Sequence, residues 1–189
     1  MRLYSHFAVV GFSNTYLFGP DSAGDAVLID PGIFDIQLLQ LIEAQKFYVR
    51  FVLVTHAHTA HINGIRTLLK IYDAQVYSFN DTVLEIPATP IREGEPLQLG
   101  EISFQVLETP GHSADSVVFR ADKFLFTGDT LAAGSIGTTS DGYARGLEIA
   151  SIRKKILSLD DDLVILPGHG PPSRVRIEKH YNPYIKHKL

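Results

Sequence analysis

Histidine and aspartate residues that directly follow short apolar segments limit the folds open to this chain more than any other feature. Three histidines lie in His56–His61 (HAHTAH), after the apolar run Phe51–Thr55. Three more residues of this kind, His112, Asp129 and His169, lie in TPGHS, FTGDT and LPGHGP. Glycines accompany these segments and allow the backbone to turn sharply. The pattern predicts β-strands that end in loops carrying these side chains.

Histidine and aspartate in this arrangement indicate a metal site. Imidazole nitrogens and carboxylate oxygens bind zinc, iron(II) or manganese, and a chain without cysteine has no thiolate ligand to offer. His56 and His58 are two positions apart in an extended segment, so both side chains point the same way and can reach one ion. His61 begins the next helix and reaches a neighbouring position. The remaining histidines, His6, His180 and His187, are not expected to be ligands.

Composition predicts a single globular domain over residues 1–189. Apolar residues make up 45 % of the 189 residues, the net charge is −4, and no internal repeat is visible. The lysines and arginines form no basic stripe, so nucleic acid is not an expected partner. No apolar stretch reaches the ~20 residues of a membrane span, and the run Phe7–Phe12 is too short for a secretory signal. We expect a cytoplasmic protein; its oligomeric state is not specified by the sequence.

Hydrophobic periodicity predicts interleaved strands and helices. Turn residues between Tyr16–Phe18 and Ala26–Ile29 indicate a hairpin, and Asp35 is a plausible N-cap for the following helix. Further strands are predicted at 51–55, 102–106, 117–119, 124–127 and 163–166, and further helices at 65–72, 149–159 and 174–181. The stretch from Gln75 to Thr127 has little helical pattern. This favours sheets covered by helices over a doubly wound α/β fold.

The four motifs HAHTAH, TPGHS, FTGDT and LPGHGP, in this order, resemble the ligand motifs of the metallo-β-lactamase superfamily. The resemblance is closest to the glyoxalase II (hydroxyacylglutathione hydrolase) group, which Ser13–Leu17, Val27–Gly32 and the tail segment from Glu178 to Pro183 also fit. It implies an α+β (αββα) fold, with two mixed β-sheets packed face to face and flanked by helices. The chain ends soon after its last motif and so resembles the short, single-domain relatives.

The resemblance also implies a ligand set. His56, His58 and His112 would hold a first metal, His61 and His169 a second, and the catalytic Asp129 would bridge them. The expected cofactor is zinc, as one or two ions, with iron or manganese as alternatives. For two further aspartates, the sequence leaves two alternative roles open. Asp30 either orients a histidine ligand or only forms an Asp-Pro-Gly turn, and Asp115 is either a substitute ligand or a surface residue.

A thioester or related acyl bond of a small molecule is the substrate that the resemblance implies, hydrolysed by a metal-activated water. One departure weakens this expectation. The family motif is His-x-His-x-Asp-His, and Ala60 stands at its aspartate position. Two alternatives therefore remain open: an iron persulfide dioxygenase that uses His56, His112 and Asp129, and a metal-binding protein with impaired catalysis. No substrate contact is assigned to the polar-tipped residues Tyr16, Tyr143 and Arg145.

Overall fold

The computed structural model describes residues 1–94 and 96–186. The chain divides into two compact units, Met1–Ile91 with Leu97–Phe104 and Arg92–Pro96 with Gln105–Leu189. The single-domain organisation expected from the sequence stays a prediction.

The elements of the first part of the chain are β1 (Arg2–Ala8), β2 (Ser13–Gly19), β3 (Gly24–Ile29), α1 (Ile36–Ala44), β4 (Phe47–Leu53), α2 (Thr59–Ile62), α3 (Ile65–Leu68), β5 (Gln75–Ser78), β6 (Thr82–Val83), β7 (Ile86–Pro87), β8 (Thr89–Pro90), β9 (Leu97–Leu99) and β10 (Ile102–Glu108). The first unit contains a mixed six-stranded sheet with the order β1-β2-β3-β4-β5-β8. Its first three strands pair antiparallel, and the pairs from β3 to β8 are parallel.

The predicted hairpin and the first helix are both confirmed. β2 pairs with β3 in register from Tyr16 opposite Ile29. The carboxylate of Asp35 accepts a hydrogen bond of 2.8 Å from the amide of Leu38 and so caps α1. Leu38 and Ile42 on the inner face of α1 are fully buried in one cluster with the apolar side chains of the sheet. Burial of this face holds the helix on the sheet.

Two predicted boundaries in the first unit are corrected. The helix expected at 65–72 ends at Leu68, because the amides of Lys70 and Ile71 bond to carbonyls three residues back and tighten the chain into a turn. Tyr72 is still buried. The strand expected at 51–55 begins earlier, at Phe47, and ends at Leu53. The amide of Thr55 donates to the Asp30 carboxylate and so does not continue the ladder.

The elements after β10 are β11 (Val117–Ala121), β12 (Phe124–Gly128), β13 (Leu131–Ala132), β14 (Ser135–Ile136), α4 (Gly142–Ser151), a π-helical segment (Ile152–Ile156), β15 (Val164–Pro167), β16 (Ser173–Arg174) and α5 (Val175–Tyr181). The second sheet has the order β16-β15-β12-β11-β10-β9 and is also mixed, because β12 and β15 are parallel. The strands predicted at 102–106, 117–119 and 124–127 are confirmed. The last predicted strand lies one residue later than expected.

The helix expected at 149–159 begins earlier and ends sooner. α4 starts at Gly142, where the Asp141 carboxylate accepts from the amide of Ala144, and it passes into the π-helical segment. The amide of Leu157 bonds to the carbonyl of Ile152, five residues back, and regular structure stops there. Ile152 and Ile156 are fully buried in the core of the second unit.

The predicted fold class is confirmed: two mixed β-sheets with flanking helices. The final helix, α5, matches its prediction to within one residue. Among residues 1–94 and 96–186 there is no helix with the length and apolar character that crossing a membrane requires. The expected cytoplasmic location and the expected absence of a nucleic-acid partner stay predictions.

Candidate metal centre

The first half-site consists of His56, His58 and His61, which follow β4. His56 and His61 are buried, and their ring centroids are 4.3 Å apart. The rings of His56 and His58 have centroids 4.6 Å apart, and ligand nitrogens of the two lie within 4.8 Å of each other. His58 is the extended residue that precedes α2, and His61 lies within that short helix. The strand-to-helix transition thus gathers all three imidazoles.

Asp30 forms the turn that the sequence allowed, and it also lies beside His61. Its backbone adopts a positive φ of 51°, and the amide of Gly32 donates to its carbonyl, so it forms a turn. Its buried carboxylate accepts from the amide and hydroxyl of Thr55 and lies 3.2 Å from Nδ1 of His61. The same hydroxyl lies 3.1 Å from Nδ1 of His56. A carboxylate that engages Nδ1 of a histidine leaves Nε2 to face an ion.

Ala60 is held by a close-packed loop. Its carbonyl accepts a hydrogen bond of 2.6 Å from the Ser13 hydroxyl. A Cβ added to Gly32 would lie 1.8 Å from that carbonyl oxygen, so only glycine fits there. A Cβ added to Gly11, which has a φ of +88°, would lie 3.3 Å from the Ala60 methyl group. Position 60 is therefore fixed in place, with the Gly11 backbone beside its side chain.

The second half-site consists of His112, Asp129 and His169, each in the loop that the sequence predicted. Oδ2 of Asp129 lies 3.5 Å from Nε2 of His112 and 3.5 Å from Nε2 of His169. Two ligand atoms bound ~2.1 Å from one tetrahedral ion are ~3.4 Å apart. The carboxylate oxygen is therefore spaced from both imidazoles as a shared metal ligand would be.

The tautomer of His112 is set by its backbone partner. Its Nδ1 lies 2.8 Å from the carbonyl oxygen of Thr138, which can only accept, so Nδ1 carries the hydrogen. Nε2 is left to face Asp129. This is the arrangement usual for histidine ligands, whose second nitrogen donates to a carbonyl or carboxylate.

Several other candidates are engaged elsewhere. Asp115 accepts from the Ser113 hydroxyl in its own turn. His6 lies 3.2 Å from Asp35, and His180 is bonded to a carbonyl of its own helix. His187 lies outside the described residues. Tyr16 is buried, and burial together with the charge of Asp30 raises its pKa above the usual range. Tyr143 is 78 % exposed, and Arg145 stacks over Tyr184 with 5.2 Å from its guanidinium carbon to the ring centroid.

One residue near the second half-site was missed by the sequence analysis. Glu148 on α4 is fully buried, and its pKa is raised to about 8, chiefly by burial and also by the negative charge of Asp129. The amide of Gly137 and the charge of Arg145 lower the pKa in part. Its spacing in the sequence could have indicated it. Glu148 lies four and eight residues before Ile152 and Ile156, so a charged residue occupies the apolar face of that helix.

A cavity of about 510 Å³ opens beside the second half-site. His112, Asp129 and His169 form part of its wall, and small or apolar residues such as Ala132, Ile136 and Pro171 supply most of the rest. No lysine or arginine is among its described lining residues. The cavity suits a small, largely uncharged group placed next to the three polar side chains.

Comparison with known proteins agrees with this geometry. Residues 8–169 match the family model described as the metallo-beta-lactamase superfamily. The chain belongs to this superfamily. It is 32 % identical over 194 residues to hydroxyacylglutathione hydrolase GloC of Haemophilus influenzae, with 89 % of this chain and 91 % of that protein covered. The resemblance found in the four motifs is thereby confirmed.

Solved structures share the fold. ETHE1 from Myxococcus xanthus has a TM-score of 0.87 and 28 % identity over 97 % of this chain and 84 % of its own. TTHA1623 in a di-iron-bound form has a TM-score of 0.81 and 29 % identity over 96 % of this chain and 99 % of its own. The chain thus carries histidine and aspartate clusters suited to metal within a family named for metal dependence.

Proposed function

We propose that this protein is a metal-dependent hydrolase of thioesters or related acyl bonds, similar to glyoxalase II. The observation that carries the proposal is the second half-site, where one carboxylate oxygen lies 3.5 Å from two histidine nitrogens beside a cavity. The relationship to a hydroxyacylglutathione hydrolase supports the acyl substrate. The single family model that matches residues 8–169 supports one domain over both units.

The residues of both half-sites fit divalent metal, and we propose that they act together. His56, His58 and His112 would hold one ion, His61 and His169 a second, and Asp129 would belong to both. When bound, the metal lowers the pKa of a water molecule and polarises the acyl oxygen. Zinc is the proposed ion because a set of nitrogen and carboxylate ligands suits it, and iron or manganese are alternatives with the same ligands.

The chain's own residues position the reactants. Asp30 and Thr55 orient the imidazoles of the first half-site, and the Thr138 carbonyl orients His112. The cavity receives the acyl group and excludes water from its apolar side. Water adds to the acyl carbon, the carbon–sulfur bond breaks, and the thiol leaves with the proton that the water gave up. Asp129 lines the cavity between His112 and His169, so it is placed to orient the attacking water beside the acyl carbon.

The test is thioester hydrolysis by protein that has been stripped of metal and then reloaded with zinc. Turnover of S-D-lactoylglutathione or a simpler thioester should require the metal and should be lost in His112→Ala. His180→Ala is the matched control, because that histidine bonds only within α5 among the described contacts. Turnover that persists in the stripped protein, or that is lost equally in both variants, would refute the proposal.

Ala60 favours a second candidate, a metal-binding protein with impaired catalysis, because the position that carries an aspartate in the family motif has only a methyl group. The other alternative is an iron persulfide dioxygenase that uses His56, His112 and Asp129. Metal-stripped protein that is reloaded with zinc in one sample and with iron in another separates the three. Oxygen uptake with glutathione persulfide by iron-loaded protein supports the dioxygenase, and tight metal binding without either reaction supports the binding protein.

A further inference from the structure

Glu148 is a buried acid whose carboxylate the proposed reaction does not use. It has no exposed surface, and neither of its oxygens has a hydrogen-bond partner of regular geometry among the described residues. An ionisable group buried in this way costs folding free energy. A substitution such as leucine would remove that cost on the same helix face, so the carboxylate calls for a functional reason.

The surroundings of Glu148 are those of the second half-site. A Cβ added to Gly111, which precedes His112, would lie 2.2 Å from Cβ of Glu148, so α4 packs directly under the TPGHS loop. A Cβ added to Gly137 would lie 2.8 Å from Oε1 of Glu148, 2.8 Å from Nδ1 of His112 and 2.5 Å from the carbonyl oxygen of Asp129. The carboxyl group of Glu148 therefore lies close to His112 and Asp129, on the side of Nδ1 of His112 and of the Asp129 carbonyl.

We infer that Glu148 is a positioning residue of the second half-site, a buried anion that strengthens metal binding there through His112 and Asp129 without being a ligand itself. The inference rests on the proposed metal site. Glu148 is absent from both groups of side chains whose ligand atoms lie within 4.8 Å of one another, as found among residues 1–94 and 96–186. Its influence on an ion is therefore electrostatic.

Glu148 would act through its charge, in an environment that water solvates poorly. The negative charge of Asp129 and the burial of Glu148 both oppose ionisation of this second carboxyl group. A divalent cation at Asp129 reverses the sign of the nearby field and favours the carboxylate. Position 60 of the HAHTAH motif is alanine and supplies no anion. A buried carboxylate behind His112 adds negative charge to the site.

Such a residue has opposite effects on stability and on metal affinity. Without metal, the buried carboxylate lowers the stability of the folded protein. With metal, its negative charge favours binding of the ion. A residue that serves only packing would lower both when replaced. This difference in sign separates the inference from an ordinary structural role.

The experiment compares Glu148→Gln, which keeps the shape and removes the charge, with Glu178→Gln as the matched control. Glu178 is a second buried glutamate of the same unit, and its carboxylate accepts from the amide of Gly134 and the side chain of Asn182. Zinc affinity is measured at pH 9 by competition with a chromophoric chelator. Because glutamine keeps the shape of the glutamate side chain, the comparison isolates the effect of its charge. Urea unfolding of the metal-free proteins is measured alongside.

We expect Glu148→Gln to weaken zinc binding about 10- to 100-fold, as other outer-sphere substitutions do, while the metal-free variant resists urea better than the unaltered protein. Glu178→Gln should unfold more easily and keep its zinc affinity. Zinc affinity within threefold of the unaltered protein in Glu148→Gln would overturn the inference, and so would an equal loss in Glu178→Gln. Absence of zinc binding by the unaltered protein would instead refute the proposed metal site, and the inference with it.

Discussion

The buried acid Glu148 makes the stability of the metal-free protein depend on pH in a predictable direction. Its pKa is about 8 in the folded protein and 4.5 for an unperturbed side chain. Between these values the native state holds more protons than the unfolded state, so stability falls as pH rises. Each factor of ten between the two ionisation equilibria is worth about 1.4 kcal/mol. From pH 5 to pH 8 this group alone should remove about 3 kcal/mol.

Glu148→Gln removes this titration and leaves every other group in place. Chelator-treated unaltered and variant proteins are unfolded in urea at pH 5 and at pH 8, and the difference between their unfolding free energies is compared at the two pH values. We expect the difference to move by about 3 kcal/mol in favour of the variant. The cost of burying the glutamine amide cancels, because it is the same at both pH values. A difference that changes by less than ~0.5 kcal/mol would show that the pKa of Glu148 is not raised.

Three other predictions follow from the packing around the half-sites. In the chelator competition, Gly137→Ala should lower zinc affinity at least tenfold, because its Cβ would lie within 2.8 Å of His112, Glu148 and the Asp129 carbonyl. Gly146→Ala is the control and should leave zinc affinity unchanged, because its Cβ would meet no atom within 4 Å. Ala60→Asp should add an anion beside His61 and tighten binding of a second zinc about 10- to 100-fold in a two-site titration. No gain there would mean that position 60 is not a ligand position in this chain. Asp30→Asn should weaken zinc binding by a similar factor, because Nδ1 of His61 loses its charged partner, and an unchanged affinity would refute that role.

The sequence was a good guide to the elements that end in a ligand loop. The hairpin of β2 and β3, the Asp35 cap and the strands before Asp129 and His169 were predictable, because turn chemistry and apolar runs act locally. The boundaries near Thr55 and Leu68 were not. Thr55 leaves its strand because its amide bonds to a carboxylate 25 residues away, and that long-range contact has no local signature.

The candidate site likewise has a part that the sequence predicted and a part that it did not. Residue type and spacing indicated the six histidine and aspartate residues proposed as ligands, because few roles other than metal binding call for histidine at successive strand ends. The partners behind them were less visible. The Thr138 carbonyl that orients His112 is a backbone group, which any residue could supply. Glu148 was visible only as a charge on an apolar helix face, a feature that becomes informative once Gly111 and Gly137 are seen packed against it.

The metal content of the purified protein, measured by elemental analysis after zinc loading and gel filtration, tests the proposed metal centre directly. The unaltered protein should carry one or two ions per chain. The double variant His112→Ala/Asp129→Ala should lose most of them, because it removes both the shared carboxylate and its nearest imidazole. Glu178→Gln, handled identically, should keep the full complement. Metal content that is equal in the double variant and the unaltered protein would contradict the assignment of the metal centre.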